Sequence, residues 1–303
     1  MRVFVIGGTG AVGLHTLDAL ANAGHSVRVI ARSAEKRAAV LAHRASPVEV
    51  SMFDVEALTA AMTAHDAVIN IATKIPPLSK FAFKRAWREN DRIRTNGSAA
   101  VAAAASAAGV PRLIQESIAF TYPSSPDWLD EDVPVDAYAM VTSALTAERN
   151  ALSHDGGVVL RFALFYGPGS AQSRQMLTMA RWHLGSMPGP KNAYTSSLHL
   201  TDAAAAIVAA LDVRPGVYNV ADDEPLTSKE YSKAIEDAVG KRAWVRSPGG
   251  SARMMGSRAS ALTRSHRVSN AKFKAATGWA PTYSSAREGW KALAGLQAAE
   301  PAG

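Results

Sequence analysis

Short, nearly continuous apolar runs recur along the first 120 residues, separated by longer stretches of helical character. The runs predict strands at Arg2–Ile6, Ser26–Ala31, Val48–Ser51, Ala67–Ile71 and Arg112–Glu116. The stretches predict helices near Val12–Ala23, Glu35–His43, Val55–Ala64 and Phe81–Ala108. Runs such as Val-Phe-Val-Ile lack the strict polar alternation of a half-exposed strand, so these strands are expected to be buried on both faces. Strands alternating with helices imply a parallel sheet covered on two sides. Turn signals fall between elements, with Ala23-Gly24-His25 before the second strand and Gly109-Val110-Pro111 before the fifth. A further helix, Tyr138–Leu152, leads to a sixth strand at Val158–Arg161.

Past Gly167-Pro168-Gly169 the rhythm loosens, and Pro188, Gly189 and Pro190 mark loops. The expected fold is therefore α/β, a doubly wound parallel sheet over residues 1–167 with a smaller C-terminal substrate domain over residues 168–303. Segments near 197–220, including a helix at Asp202–Leu211 and a strand at Val217–Val220, are expected to return to the main fold. Ala298–Gly303 reads as a frayed tail.

Composition narrows the chemistry. Of 303 residues, 48% are hydrophobic and 19% charged, which is globular. The absence of cysteine excludes disulfides and thiolate chemistry. The alanine-rich run Val101–Ala108 is too short to span a bilayer, and Val3–Ile6 is too short for a signal sequence. No membrane association is expected, and a cytoplasmic location is. Residues 1–150 carry 15 basic and 15 acidic side chains, whereas residues 151–303 carry 18 and 11, the whole of the net +7. Lys241 to Lys274 holds nine Lys and Arg and no acid. That segment reads as a solvated basic face, or as a patch attracting an anionic substrate through Arg258 and Arg264. It lacks the interleaved aromatics and signatures of a nucleic-acid binder, so no nucleic-acid partner is expected.

Gly7-Gly8-Thr9-Gly10-Ala11-Val12-Gly13 lies between the first strand and the first helix. One glycine permits the tight turn, a second lets backbone approach a pyrophosphate, and a third lets helix and strand pack closely. Phosphates then meet the free amides and positive dipole end of the helix. At the end of the second strand an acid would bind a ribose 2′-hydroxyl, and an Arg would accommodate a 2′-phosphate. Arg32 occupies that place, with Lys36 and Arg37 close behind. NADP(H) is the expected cofactor, in preference to NAD(H).

The chain resembles the extended short-chain dehydrogenases/reductases, in particular their NAD-dependent epimerase/dehydratase-like branch, which share a Rossmann fold. The likeness runs over nearly the whole chain. It rests on the glycine turn, Phe53-Asp54-Val55, Asn70-Ile71-Ala72-Thr73, and the stretch from Leu160-Arg161 to Tyr166-Gly167-Pro168-Gly169. His199-Leu200-Thr201-Asp202, Gly216-Val217-Tyr218-Asn219-Val220 and Gly278-Trp279-Ala280-Pro281 add to it. The resemblance implies that Gly7, Thr9, Gly10, Ala11, Val12, Gly13, Arg32, Asp54, Val55, Ala72, Thr73 and Lys74 hold the cofactor, with Asp54 at the adenine. It also implies a homodimer formed through the helices at Phe81–Ala108 and Tyr138–Leu152.

One family feature is missing. Its Tyr-x-x-x-Lys pair supplies a proton from a tyrosine whose pKa the lysine lowers, while a Ser or Thr stabilises an oxyanion. Here Tyr138-Ala139-Met140-Val141-Thr142 ends in Thr, and the register fixed by Glu148 puts Met140 and Ala144 at the two positions. There is no lysine between Lys84 and Lys191. The candidates left for catalysis are Ser117, Tyr122 and Tyr138. Glu116 is either a displaced acid/base group or a solvated carboxylate. His199 reads as a structural histidine. The eight histidines show no HxxH or HxH spacing, so no metal site is expected. Two functions fit. One is an NADP(H)-dependent oxidoreductase of the epimerase/dehydratase type, acting on a carbonyl or alcohol of a small substrate that is anionic if the basic segment holds it. The other is a catalytically degenerate NADP(H)-binding redox sensor or regulator.

Overall fold

The computed structural model describes residues 1–299 apart from 82, 186, 188 and 245–262. At its centre seven parallel strands form one sheet: β1 (Arg2–Ile6), β2 (Ser26–Ile30), β3 (Ser46–Val48), β4 (Ala67–Asn70), β5 (Leu113–Ile118), β6 (Gly157–Phe162) and β7 (Gly216–Val220). Their spatial order is β7-β6-β5-β4-β1-β2-β3. The order reverses between β1 and β4, and at such a switch point the connections leave to opposite sides and open a crevice at the carboxyl ends of the strands.

Successive side chains of a strand point to opposite faces, which explains two separate cores. On one face Val3, Val5, Val29, Ile69, Ile114 and Leu160 pack with Leu17 and Leu20 of α1 (Ala11–Asn22). On the other, Phe4, Ile6, Val68, Leu113 and Val159 meet Leu58 and Met62 of the helix Val55–Met62. Each such side chain stabilises the fold by about 1.5–3 kcal/mol on burial. The helix Leu200–Ala209 joins the first core through Ala203, Ala206 and Ile207, and β7 extends the sheet beside β6. A third core holds the helices Ala171–Arg181, Ser228–Val239 and Ala286–Ala299 together through Leu177, Tyr231, Ile235, Trp290 and Leu293. Asp202 ties this part to the sheet by accepting hydrogen bonds from the Thr282 and Tyr283 amides. Among the described residues, no helix is long and apolar enough to cross a membrane.

Four expectations shift. The third strand lies at Ser46–Val48, earlier than Val48–Ser51, and its Pro47 is tolerated because β3 is the sheet edge. β5 runs on to Ile118, which keeps Ser117 inside the strand. The helix expected over Phe81–Ala108 breaks into Lys84–Arg92, a π-helical turn at Ile93–Gly97, and Ser98–Ala107. The helix expected from Tyr138 begins at Thr142, leaving Tyr138 in the preceding turn.

Candidate functional site

The glycine turn closes over the end of β1. Gly7 has φ +90°, and a Cβ there would lie 2.6 Å from the Ala72 amide nitrogen. A Cβ on Gly13 would lie 2.4 Å from the Gly7 carbonyl oxygen, so only glycine lets the first turn of α1 press against the loop. Gly10 caps α1, its amide donating to the Gly7 carbonyl at 3.0 Å. No side chain caps this helix and no acid sits in its first turn. Its leading amides and positive dipole end are left for an anion.

Gly7, Thr9, Gly10, Ala11, Val12 and Gly13 line a cavity of about 520 Å³. It runs across the carboxyl ends of the strands, past Arg32 and Lys36 beyond β2, Ala72, Thr73 and Lys74 beyond β4, Glu116 on β5 and Phe162 on β6. Phe165, Ser170, Gln172 and Leu200 close it from the C-terminal part. Arg37 pairs with Glu49, whereas Arg32 and Lys36 make no ion pair among the described residues. A cradle open to phosphate, followed by two uncommitted cations, fits a phosphorylated dinucleotide. Asp54 does not line the cavity: its carboxylate caps the helix Val55–Met62 by accepting from the Ala57 amide at 3.0 Å. Val55 is an exposed helix residue, and Met52 takes the cavity wall instead.

None of the three expected catalytic hydroxyls lines the cavity. Ser117 faces away from it and donates to Glu148 at 2.6 Å. Glu148 also accepts from Arg161 Nε at 2.9 Å and from its terminal nitrogen at 2.7 Å. Arg161 donates on to the Tyr122 hydroxyl at 2.9 Å, which donates to Asn219 at 2.8 Å. This buried chain stitches β5, β6 and β7 to the helix Thr142–Leu152. Burial pushes the Tyr122 phenol up, against the pull of Arg161. Tyr138 donates to the Phe120 carbonyl at 3.0 Å, and burial pushes it up to about 12, so it holds its proton. Met140 and Ala144 sit in an apolar cluster with Ile118, Phe81 and Trp87. Neither Met140 nor Ala144 lines the cavity.

Among the described residues two carboxylates line the cavity, Glu89 and Glu116, and only Glu116 is buried. It is buried, not solvated, and accepts from Arg94 at 2.6 Å. The π-helical turn carries Arg94 inward, a distortion that 3.6-residue periodicity does not reveal. His199 caps the helix Leu200–Ala209, shares a 2.7 Å hydrogen bond with Thr201, and burial lowers its pKa to about 4. In the basic segment, Arg246, Arg253 and Arg258 lie outside the described residues. Arg264 pairs with Asp136 and stacks on Tyr138, and Arg267 stacks on Trp128, so these two serve as internal ties. Among the described residues no cluster of three potential metal ligands exists.

The NAD dependent epimerase/dehydratase family pattern matches residues 3–221. A 3-diazoavenalumate denitrifying reductase from Streptomyces sp. is 35% identical over 95% of this chain and 99% of that protein. Epimerase family protein SDR39U1 from Homo sapiens is 25% identical over 82% of this chain and 84% of its own. The crystal structure of human SDR39U1 with NADPH superposes with a TM-score of 0.82 at 22% identity, covering 97% of this chain and 99% of that one. MoeE5 in complex with UDP-glucose and NAD gives 0.80 at 19% identity, covering 98% and 99%. Glycine cradle, sheet order and sequence likeness converge: this chain belongs to the NAD dependent epimerase/dehydratase family and is an NAD(P)-binding enzyme of the oxidoreductase type.

Proposed function

We propose that the protein is an NADP(H)-dependent reductase whose substrate accepts hydride without taking a proton from a tyrosine. The observation that carries this is a cavity with two cations at its adenosine end and no tyrosine in its lining. Arg32 and Lys36, without acidic partners among the described residues, stand where a 2′-phosphate would lie, while Met140 and Ala144, which the Glu148 register sets at the Tyr–Lys positions, pack in an apolar cluster outside the cavity lining. When bound, the coenzyme supplies a hydride. The amides opening α1 would hold its pyrophosphate, Thr73 and Lys74 its middle, and Phe162 and Phe165 would exclude water beside the reacting carbon.

Reduction of a carbonyl leaves an alkoxide that needs a proton, and no tyrosine lines this cavity to give one. An aromatic diazonium carbon differs. Hydride adds to the ring carbon, the carbon–nitrogen bond breaks with its electron pair leaving on nitrogen, and neutral N2 departs. No proton is required at that step. The 35% identical relative is named for reduction of a diazo compound, which supports the same class of substrate here.

The test mixes purified protein and NADPH with 3-diazoavenalumate, and in parallel with aromatic aldehydes and ketones. Consumption of NADPH with equimolar loss of N2 is expected, and 4-deuterated NADPH should place deuterium on the ring carbon. Turnover confined to the carbonyl panel would overturn the substrate class. Tight NADPH binding with no turnover in either arm would favour the sensor reading.

A further inference from the structure

The cavity contains a charge arrangement that coenzyme binding alone does not call for. Glu116 accepts from Arg94 through one carboxylate oxygen, and both side chains are buried. The other oxygen, Oε2, is buried without a partner, as are Arg94 Nε and Asn90 Nδ2. Of the pair only Glu116 lines the cavity. The ion pair is therefore a fixed dipole with its negative end toward the cavity and its positive end behind.

The sheet order says which part of a bound dinucleotide meets that end. Arg32 follows β2 and Glu116 lies on β5, three strand spacings away across β1 and β4, or about 14 Å. With an adenosine phosphate at Arg32 and a pyrophosphate at the glycine turn between them, the nicotinamide end would be left to the Glu116 side of the cavity. That ring is neutral when reduced and cationic when oxidised.

We propose that Glu116, backed by Arg94, makes the cavity favour the oxidised coenzyme over the reduced one and stabilises the positive charge that grows on the ring as hydride leaves. This rests on the NADP(H) reading above. Electrostatics fixed in a dry site act strongly on developing charge because nothing need reorganise. Burial pushes the Glu116 carboxyl up, while the Arg94 guanidinium pulls it back. A proton on Glu116 would leave a buried guanidinium uncompensated.

The test compares dissociation constants for NADP+ and NADPH in wild type, E116Q, and the neutral double variant R94M/E116Q. Lys74 and Glu89 also line the cavity, but they are common to all three proteins and cancel in the ratio. In E116Q the ratio Kd(NADP+)/Kd(NADPH) should rise roughly tenfold. The double variant, which carries no unpaired buried charge, should move the same way by less. A purely structural role would weaken both coenzymes equally. An unchanged ratio with both coenzymes still bound overturns the proposal. Failure of wild type to bind either coenzyme overturns the reading beneath it instead.

Discussion

Replacing Tyr122 with Phe removes one hydroxyl and nothing else, and it separates a load-carrying tyrosine from a chemical one. That hydroxyl accepts from Arg161 at 2.9 Å and donates to Asn219 at 2.8 Å, in a side chain that is 0% exposed. Phe leaves a charged donor and a neutral acceptor short of one partner each. Losing a hydrogen bond to a buried charged group costs about 1.5–3 kcal/mol, and the neutral one about 1 kcal/mol more. The summed loss is about 2.5–4 kcal/mol. For 303 residues at about 2.1 cal/mol/K each, the unfolding entropy is about 0.6 kcal/mol/K, so the melting temperature should fall by about 4–6 °C. Thermal melts by circular dichroism measure that shift, and turnover per folded molecule is measured alongside. A holding role predicts the lower melting temperature with kcat and NADPH affinity within about twofold of wild type. A kcat reduced by about a hundredfold or more at unchanged melting temperature would refute the assignment and return Tyr122 to the chemistry.

Ser117→Ala should behave alike, losing about 1.5–3 kcal/mol through the missing bond to Glu148 and leaving coenzyme affinity intact, as chemical unfolding and titration will show. Gly13→Ala places a Cβ 2.4 Å from the Gly7 carbonyl. The cradle must shift by up to about 1 Å, which should cost roughly a hundredfold in coenzyme affinity. An unchanged dissociation constant would show that the cradle is not the phosphate site. Acid should destabilise the protein through His266, which burial lowers from 6.5 to about 4. The unfolded chain then binds the extra proton, so this contribution is intact above pH 6.5 and lost as pH falls toward 4. It amounts to about 3 kcal/mol at most. Urea unfolding at neutral pH and near pH 4.5 should show a shallower fall in stability for His266→Gln, and an identical slope would remove His266 from the explanation.

The sheet was legible because its strands are buried on both faces and carry few charges, so Arg2–Ile6 and Ala67–Ile71 stand out from the helices around them. The glycine turn was legible because Gly7 and Gly13 each answer a geometric demand that a side chain would violate. The surroundings of the catalytic candidates were not. Which way Ser117 points depends on where β5 ends, and a strand continuing to Ile118 turns it toward Glu148. Asp54 carries two signals, a family position at the adenine and a helix cap three residues before Ala57, and the structure shows the cap. Arg94 was invisible for a different reason. Its buried side chain sits on a π-helical turn that ends at Gly97, where a Cβ would lie 2.5 Å from the Met52 side chain. No local pattern of apolar residues encodes that turn.

Titration calorimetry with NADPH and NADH, on wild type and on Arg32→Ala, puts the central claim to the most direct test. Wild type should bind NADPH the more tightly, and the substitution should weaken NADPH by roughly tenfold to a hundredfold, the worth of one charge-assisted contact, while leaving NADH nearly untouched. Absence of binding heat with both coenzymes at every temperature tried would contradict the account at its root.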